Sequence, residues 1–236
     1  MSDPSAGGGA RAVDLGSALR WSWMAFRTNA GAFMGLSIIV VVLTAAQQIG
    51  TTPIQNVLID CVNPQSPGQE NACSAALTPS ALAPVLGSVG LVFLALVAQV
   101  GVQRAALGRT RGVQPSVTDL LESRNLGRYA VYVIVYRILF FVGIVLCILP
   151  GLLVLMFLQF GQYFILDRGM GVVEAMKASA ALASRNLGPV AGVALIAGVL
   201  ELAGGLLFGL PILLTLPLAS LFVAHVYRQL THEPVV

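Results

Sequence analysis

The chain has 236 residues, of which 57% are hydrophobic and 10% charged, with a formal net charge of +3. A soluble domain carries about 25% charged residues, so this composition argues against a soluble enzyme and for a polytopic membrane protein; the mean hydropathy is +0.86. The positive charge is not a nucleic-acid footprint, because no Lys or Arg lies between Thr28 and Gln103 and the basic residues elsewhere cluster between apolar runs, as the positive-inside rule expects of cytoplasmic loops.

Residues 1–12 are expected to form a disordered cytoplasmic tail, since the first ten are polar and Gly-rich with no basic lead into a short apolar core. Val13 to Thr28 reads as an amphipathic helix on the cytoplasmic surface. Asp14 is its cap, and Leu15, Ala18, Leu19, Ser22 and Phe26 recur at near-helical spacing. Trp21 and Trp23 suit the headgroup level. The first span is Ala30 to Gly50. Residues 51–81 then form a polar loop with Asp60 and Glu70 and no basic residue, which places it outside. Cys61 and Cys73 both fall in that loop. An oxidising exterior favours a disulfide between them, worth roughly 3 kcal/mol in the chain-entropy description.

The second span lies within Leu82 to Leu107, and Arg109 to Gly127 is a cytoplasmic connector. Ser116 with Asp119 resembles an acidic capping box and predicts a short helix from Val117 to Ser123. The third span runs from Tyr129 to Leu149, with Cys147 as a small buried hydrophobe. Pro150-Gly151 is expected to make the outside turn, and the fourth span continues to Asp167. Gly171 to Ser184 is a second amphipathic helix. The fifth span is Pro189 to Leu210, the sixth Pro211 to Tyr227, and residues 231–236 are a cytoplasmic tail. The predicted fold is all-α: one membrane domain over 13–230, six transmembrane helices arranged as three hairpins. Each hairpin is preceded by an amphipathic or connector helix, and both termini are cytoplasmic.

An internal repeat supports that plan. Ser-Arg-Asn-Leu-Gly occurs at Ser123 to Gly127 and again at Ser184 to Gly188, and Pro150 and Pro211 close the following apolar runs at the same offset. Arg27, Asn29 and Gly31 suggest a looser copy upstream.

Two charges interrupt the apolar runs, and a charge at bilayer depth is costly unless it is paired or faces water. At about 1.5 Å per residue, Arg137 lies roughly 18 Å from Leu149, Glu201 roughly 15 Å from Pro211 and Gln162 roughly 16 Å from Gly151. With Gln159 one turn from Gln162, these residues predict one polar layer near the midplane. It reads as a site for a solute, ion or headgroup, or as an Arg137–Glu201 pair that locks two helices together. The pair is the simpler reading, since one pair without further acids is thin for a transport path. No catalytic motif, metal-ligand cluster or cofactor loop is present. His225 and His232 read as interfacial side chains, and Asp167 and Glu174 flank Arg168 as surface ion pairs of small worth.

Pro150-Gly151, Asp167-Arg168-Gly169, Glu174-Ala175, Lys177-Ala178-Ser179 and Asn186-Leu187-Gly188 resemble a family of bacterial, often actinobacterial, integral membrane proteins. That family carries the label of a glycerophosphodiester phosphodiesterase membrane domain. Ala18 to Asn29 is similar as well. The catalytic barrel of that enzyme is not in this sequence, so the resemblance implies a six-helix membrane protein, with a role in envelope maintenance, and no catalytic residues. The expected function is that of a non-enzymatic plasma-membrane protein acting as envelope scaffold or accessory partner. Its partners are membrane lipids and other envelope membrane proteins, with no nucleic acid and no cofactor. The alternative is a small transporter or lipid-translocating protein that uses the midplane polar layer.

Overall fold

A computed structural model describes residues 13–62, 79–115, 125–206 and 212–236. Among these residues the chain is helical without strands. Six stretches are long and apolar enough to cross a membrane: Ala30–Thr52, Leu86–Thr110, Leu126–Leu146, Ile148–Arg168, Leu187–Gly204 and Ile212–Leu230. The chain is thus built as a multi-pass membrane protein. Its exterior carries large apolar side chains such as Phe141, Val145, Leu149 and Leu152, the surface that lipid rather than water would cover.

Helix α1 (Leu15–Thr28) starts at Asp14, whose carboxylate accepts the Gly16 and Ser17 N–H groups at 2.9 and 3.1 Å. It buries Ala18, Ser22, Ala25 and Phe26, a stripe at helical spacing. Asn29 ends α1 and starts α2 (Ala30–Val62). Its N–H donates to the Phe26 carbonyl, its Nδ2 to the Ala25 carbonyl, and its own carbonyl accepts from the Phe33 N–H. One residue therefore satisfies orphan groups of two helices.

Helix α2 runs past Thr51 and Thr52, whose hydroxyls return to the Gln48 carbonyl. Residues 51–62 are therefore helical, not loop as expected. Helix α3 (Pro79–Thr110) likewise begins inside the expected loop. The Cys61–Cys73 bridge lies outside the described residues, as do the connector helix expected at Val117 to Ser123 and the Pro211 end of the repeat.

Helix α4 (Leu126–Leu146) is separated from α5 (Ile148–Leu158) by Cys147 alone, an extended residue with φ −174° and ψ 144°. The break falls before the expected Pro150-Gly151 turn. Pro150 sits instead in the first turn of α5, where its missing N–H costs no helical hydrogen bond. Cys147 is exposed rather than buried. A Cβ on Gly143 would strike the backbone of Gly151, so these two glycines let α4 and α5 touch backbone to backbone.

The fourth span is not continuous. It breaks at Gln159 and Phe160, and α6 (Gly161–Arg168) completes it. Two neighbours brace the break. Ser179 of α7 (Val172–Arg185) donates to the Phe157 carbonyl at 2.7 Å and accepts the Phe160 N–H at 3.2 Å. The Tyr132 hydroxyl donates to the Leu158 carbonyl, and Gly161 leaves no room for a Cβ beside that ring. Asn186 then joins α7 to α8 (Leu187–Leu206) with the same three bonds that Asn29 makes, to Ala183, Leu182 and Val190.

Helix α9 (Ile212–Leu230) is the centre. It packs against α8, α3, α1 and α2, and 67% of its membrane-crossing window is buried against 17–33% for the other five. At the basic end, Asp167 accepts from Arg111, from Arg228 at 3.0 Å and from the Tyr227 hydroxyl at 3.3 Å. Glu233 pairs with Arg168 and Arg228, and the Val236 N–H donates to the Thr110 carbonyl. The Asp167 and Arg228 side chains are 3% and 6% exposed. Asp167 is therefore not the surface partner expected, and within residues 231–236 Glu233 and Val236 contact the bundle. The reason is convergence: the last turns of α3, α6 and α9 meet, so their charges shield one another from solvent.

Candidate functional site

Helices α3, α4, α5, α6, α8 and α9 enclose a cavity of about 500 Å³, inside the range typical of small-molecule sites. Gln99 and Gln103 reach it from α3. Tyr129, Tyr132, Tyr136 and Arg137 come from α4, Gln159, Gln162 and Tyr163 from the broken fourth span, Glu201 from α8, and Thr215 and Ser220 from α9. Gln159, Gln162 and Tyr163 stand at i, i+3 and i+4, so all three reach the same space.

All four residues expected in the polar layer, Arg137, Gln159, Gln162 and Glu201, line this cavity. Their roles within it differ. Gln159 is spent on structure: its Nε2 donates to the Val190 and Met156 carbonyls at 3.1 and 3.3 Å, tying the break to α8. Arg137 and Glu201 face the cavity from α4 and α8, yet no nitrogen–oxygen distance between them falls within 4.0 Å. The expected direct pair is absent among the described ion pairs; α4 and α8 are held apart by the cavity itself, and the two charges act on one another only at longer range.

Aromatic rings make one wall. Tyr132, Tyr136 and Phe140 form a stacked run with centroids 6.3 and 6.4 Å apart, and the Tyr163 hydroxyl donates to the Ser220 carbonyl at 3.3 Å. Gln103 Oε1 and Thr215 Oγ1 are buried without a hydrogen-bond partner, and both belong to cavity residues. Both atoms are closed off from water rather than open to the cavity, and Thr215 Oγ1 packs against Gly204, which leaves no room there for a Cβ. No group of three or more potential metal ligands occurs among the described residues.

Sequence reasoning placed Tyr163 beside Gln162 but missed Gln99, Gln103, Tyr129, Tyr132, Tyr136 and Thr215. A signal existed: Tyr129, Tyr132, Tyr136 and Arg137 recur at i, i+3, i+7 and i+8, and Gln99 and Gln103 at i and i+4, so each set shares one helix face. None is costly enough in an apolar run to stand out alone.

The family model described as "Domain of unknown function (DUF7847)" matches residues 81–235, which includes every cavity residue. Uncharacterized protein Mb2590 of Mycobacterium bovis is 27% identical over 228 residues, covering 94% of this chain and 70% of that protein. Uncharacterized protein Rv2560 of Mycobacterium tuberculosis is 26% identical over the same coverage. None of these descriptions names a glycerophosphodiester phosphodiesterase. No solved structure matches the chain.

Proposed function

This chain belongs to the DUF7847 family, and from the cavity its helices enclose we propose that it is a small membrane transporter or lipid-translocating protein that binds a polar solute or headgroup at mid-membrane depth. One observation carries the reading. Arg137 and Glu201 line the same cavity without a direct ion pair between them. Charges left apart in a hydrocarbon setting are too costly to keep unless water or a ligand reaches them. The protein works without covalent chemistry, in the plasma membrane, with both termini cytoplasmic.

A second reading rests on α1. Leu19, Trp23 and Met24 are exposed on it beside the exposed Arg20 and Arg27, the composition of a helix seated among lipid headgroups. In that reading the protein is an envelope scaffold or accessory partner.

Aqueous access to the cavity separates the two. Ala197→Cys and Gln162→Cys, placed in the cavity, are treated in native membranes with a small charged thiol reagent, with Leu152→Cys on the outer apolar surface as the control. Transport requires both cavity cysteines to label and the control to stay unlabelled, read by mass spectrometry of the peptides. A cavity that stays unlabelled while the protein is folded removes the transport reading and leaves the scaffold.

A further inference from the structure

The cavity's two charges have opposite sign, sit on helices that do not pair them, and line one open cavity. Each class of ligand leaves a different residue of that balance. A neutral molecule leaves both charges unmet. An anion satisfies Arg137 and is repelled by Glu201. A cation satisfies Glu201 and is repelled by Arg137. Only a molecule bearing both charges, separated by a few bonds, meets both groups without importing a net charge into the membrane interior, where net charge is most expensive.

The remaining walls agree with this. Tyr136 stands next to Arg137 in sequence and lines the same space, and a tyrosine-rich wall offers ring faces to an ammonium group. The volume of about 500 Å³ holds a headgroup-sized molecule. Both Arg137 and Glu201 retain exposed surface, so chains attached to a headgroup need not enter.

We infer that the cavity binds a zwitterion, its phosphate or carboxylate on Arg137 and its ammonium on Glu201. The inference rests on the proposal that the cavity is a binding site, and it names that site's ligand class. The same chemistry could arrive as a lipid headgroup or as a free solute.

The test uses the full chain in detergent and measures binding by native mass spectrometry and calorimetry. The probes are a short-chain phosphatidylethanolamine, the anionic short-chain phosphatidylglycerol, and soluble glycerophosphoethanolamine. The wild type is expected to prefer phosphatidylethanolamine to phosphatidylglycerol. Glu201→Gln should weaken phosphatidylethanolamine about tenfold or more while leaving phosphatidylglycerol unchanged or tighter; Arg137→Gln should weaken both by a similar factor, the scale of one lost charge-assisted contact. Tight binding of glycerophosphoethanolamine alone assigns the site to a free solute, whereas binding only of the acylated probe assigns it to a lipid. If the anionic lipid is preferred, or if neither substitution changes the ranking in a folded protein, the zwitterion is overturned. Cavity cysteines that label from water while no zwitterion binds would overturn the ligand class and leave the cavity's transport role standing; cysteines that do not label would remove both.

Discussion

At the scale of single residues, Ser179 shows how much one small side chain can hold. It accepts the Phe160 N–H and donates to the Phe157 carbonyl across the break in the fourth span. Its residue is fully buried. Ser179→Ala would leave a buried N–H and carbonyl without partners, and each unmet group costs about 1–3 kcal/mol. Thermal unfolding in detergent should register that loss, whereas Ser184→Ala, on the exposed side of the same helix, should be near neutral. Nothing in the sequence distinguishes these two serines, because both sit among alanines in one amphipathic helix. Arg137 and Glu201 were legible for the opposite reason: an ionised side chain inside a long apolar run has no ordinary explanation. Asp167 was misjudged since Asp-Arg-Gly is turn composition, and turns are usually wet; its burial comes from two other helix ends that only the folded chain brings near.

Among the elements, α1 and α7 are counterparts. Both have 14 residues and end at an asparagine with similar backbone angles, φ −129° and ψ 28° at Asn29, φ −137° and ψ 44° at Asn186. Ala18, Ser22 and Phe26 are buried in α1 where Ala175, Ser179 and Ala183 are buried in α7. Asn125, from the closer sequence copy, instead adopts a left-handed conformation with φ 62° and reaches across to the Ile165 carbonyl at 3.3 Å. The looser sequence match is thus the nearer geometric one at the corner, because the corner is fixed by an asparagine's hydrogen bonds and not by its neighbours.

Helix existence was readable from composition. Helix limits were not, since proline is admitted both in a turn and in a first helical turn. Asp14 gives α1 a pH response. The N–H groups of Ser17 and Gly16 hold its carboxyl below the ordinary range, with Arg20 adding to the effect. A depressed pKa in the folded state means the cap is fully present above the ordinary carboxylate pKa and is lost as pH falls through the lowered value. The Ser17 amide signal, followed by NMR in nanodiscs, should therefore titrate with a midpoint below that of an ordinary aspartate. Asp14→Asn should abolish the titration while keeping the cap.

For the molecule as a whole, the basic end is where separate spans become one body. Asp167 joins Arg111 of the chain just past α3 to Arg228 of α9, and Glu233 ties Arg228 to Arg168. Removing one member of a buried ion pair costs about 3–5 kcal/mol. Asp167→Asn should fall at the lower end, because Glu233 still faces Arg228. Combined with Glu233→Gln, the loss should exceed the sum of the single losses, with a coupling of about 0.5–3 kcal/mol in a double-mutant cycle of unfolding. Additive losses would mean that the network is only a set of independent surface contacts.

The central place of α9 also bears on how the protein is made. Synthesis delivers the other five described spans first, and α9, against which α2, α3 and α8 pack, comes after them. Until α9 enters the bilayer, Glu201 on α8 and Arg137 on α4 lack the Thr215 and Ser220 wall that completes their cavity, and Asp167 lacks Arg228. Until then the earlier spans carry polar groups whose partners have not yet arrived. Sequence changes in α9 should for that reason be felt first as lost protein abundance, before any change in what the finished protein binds.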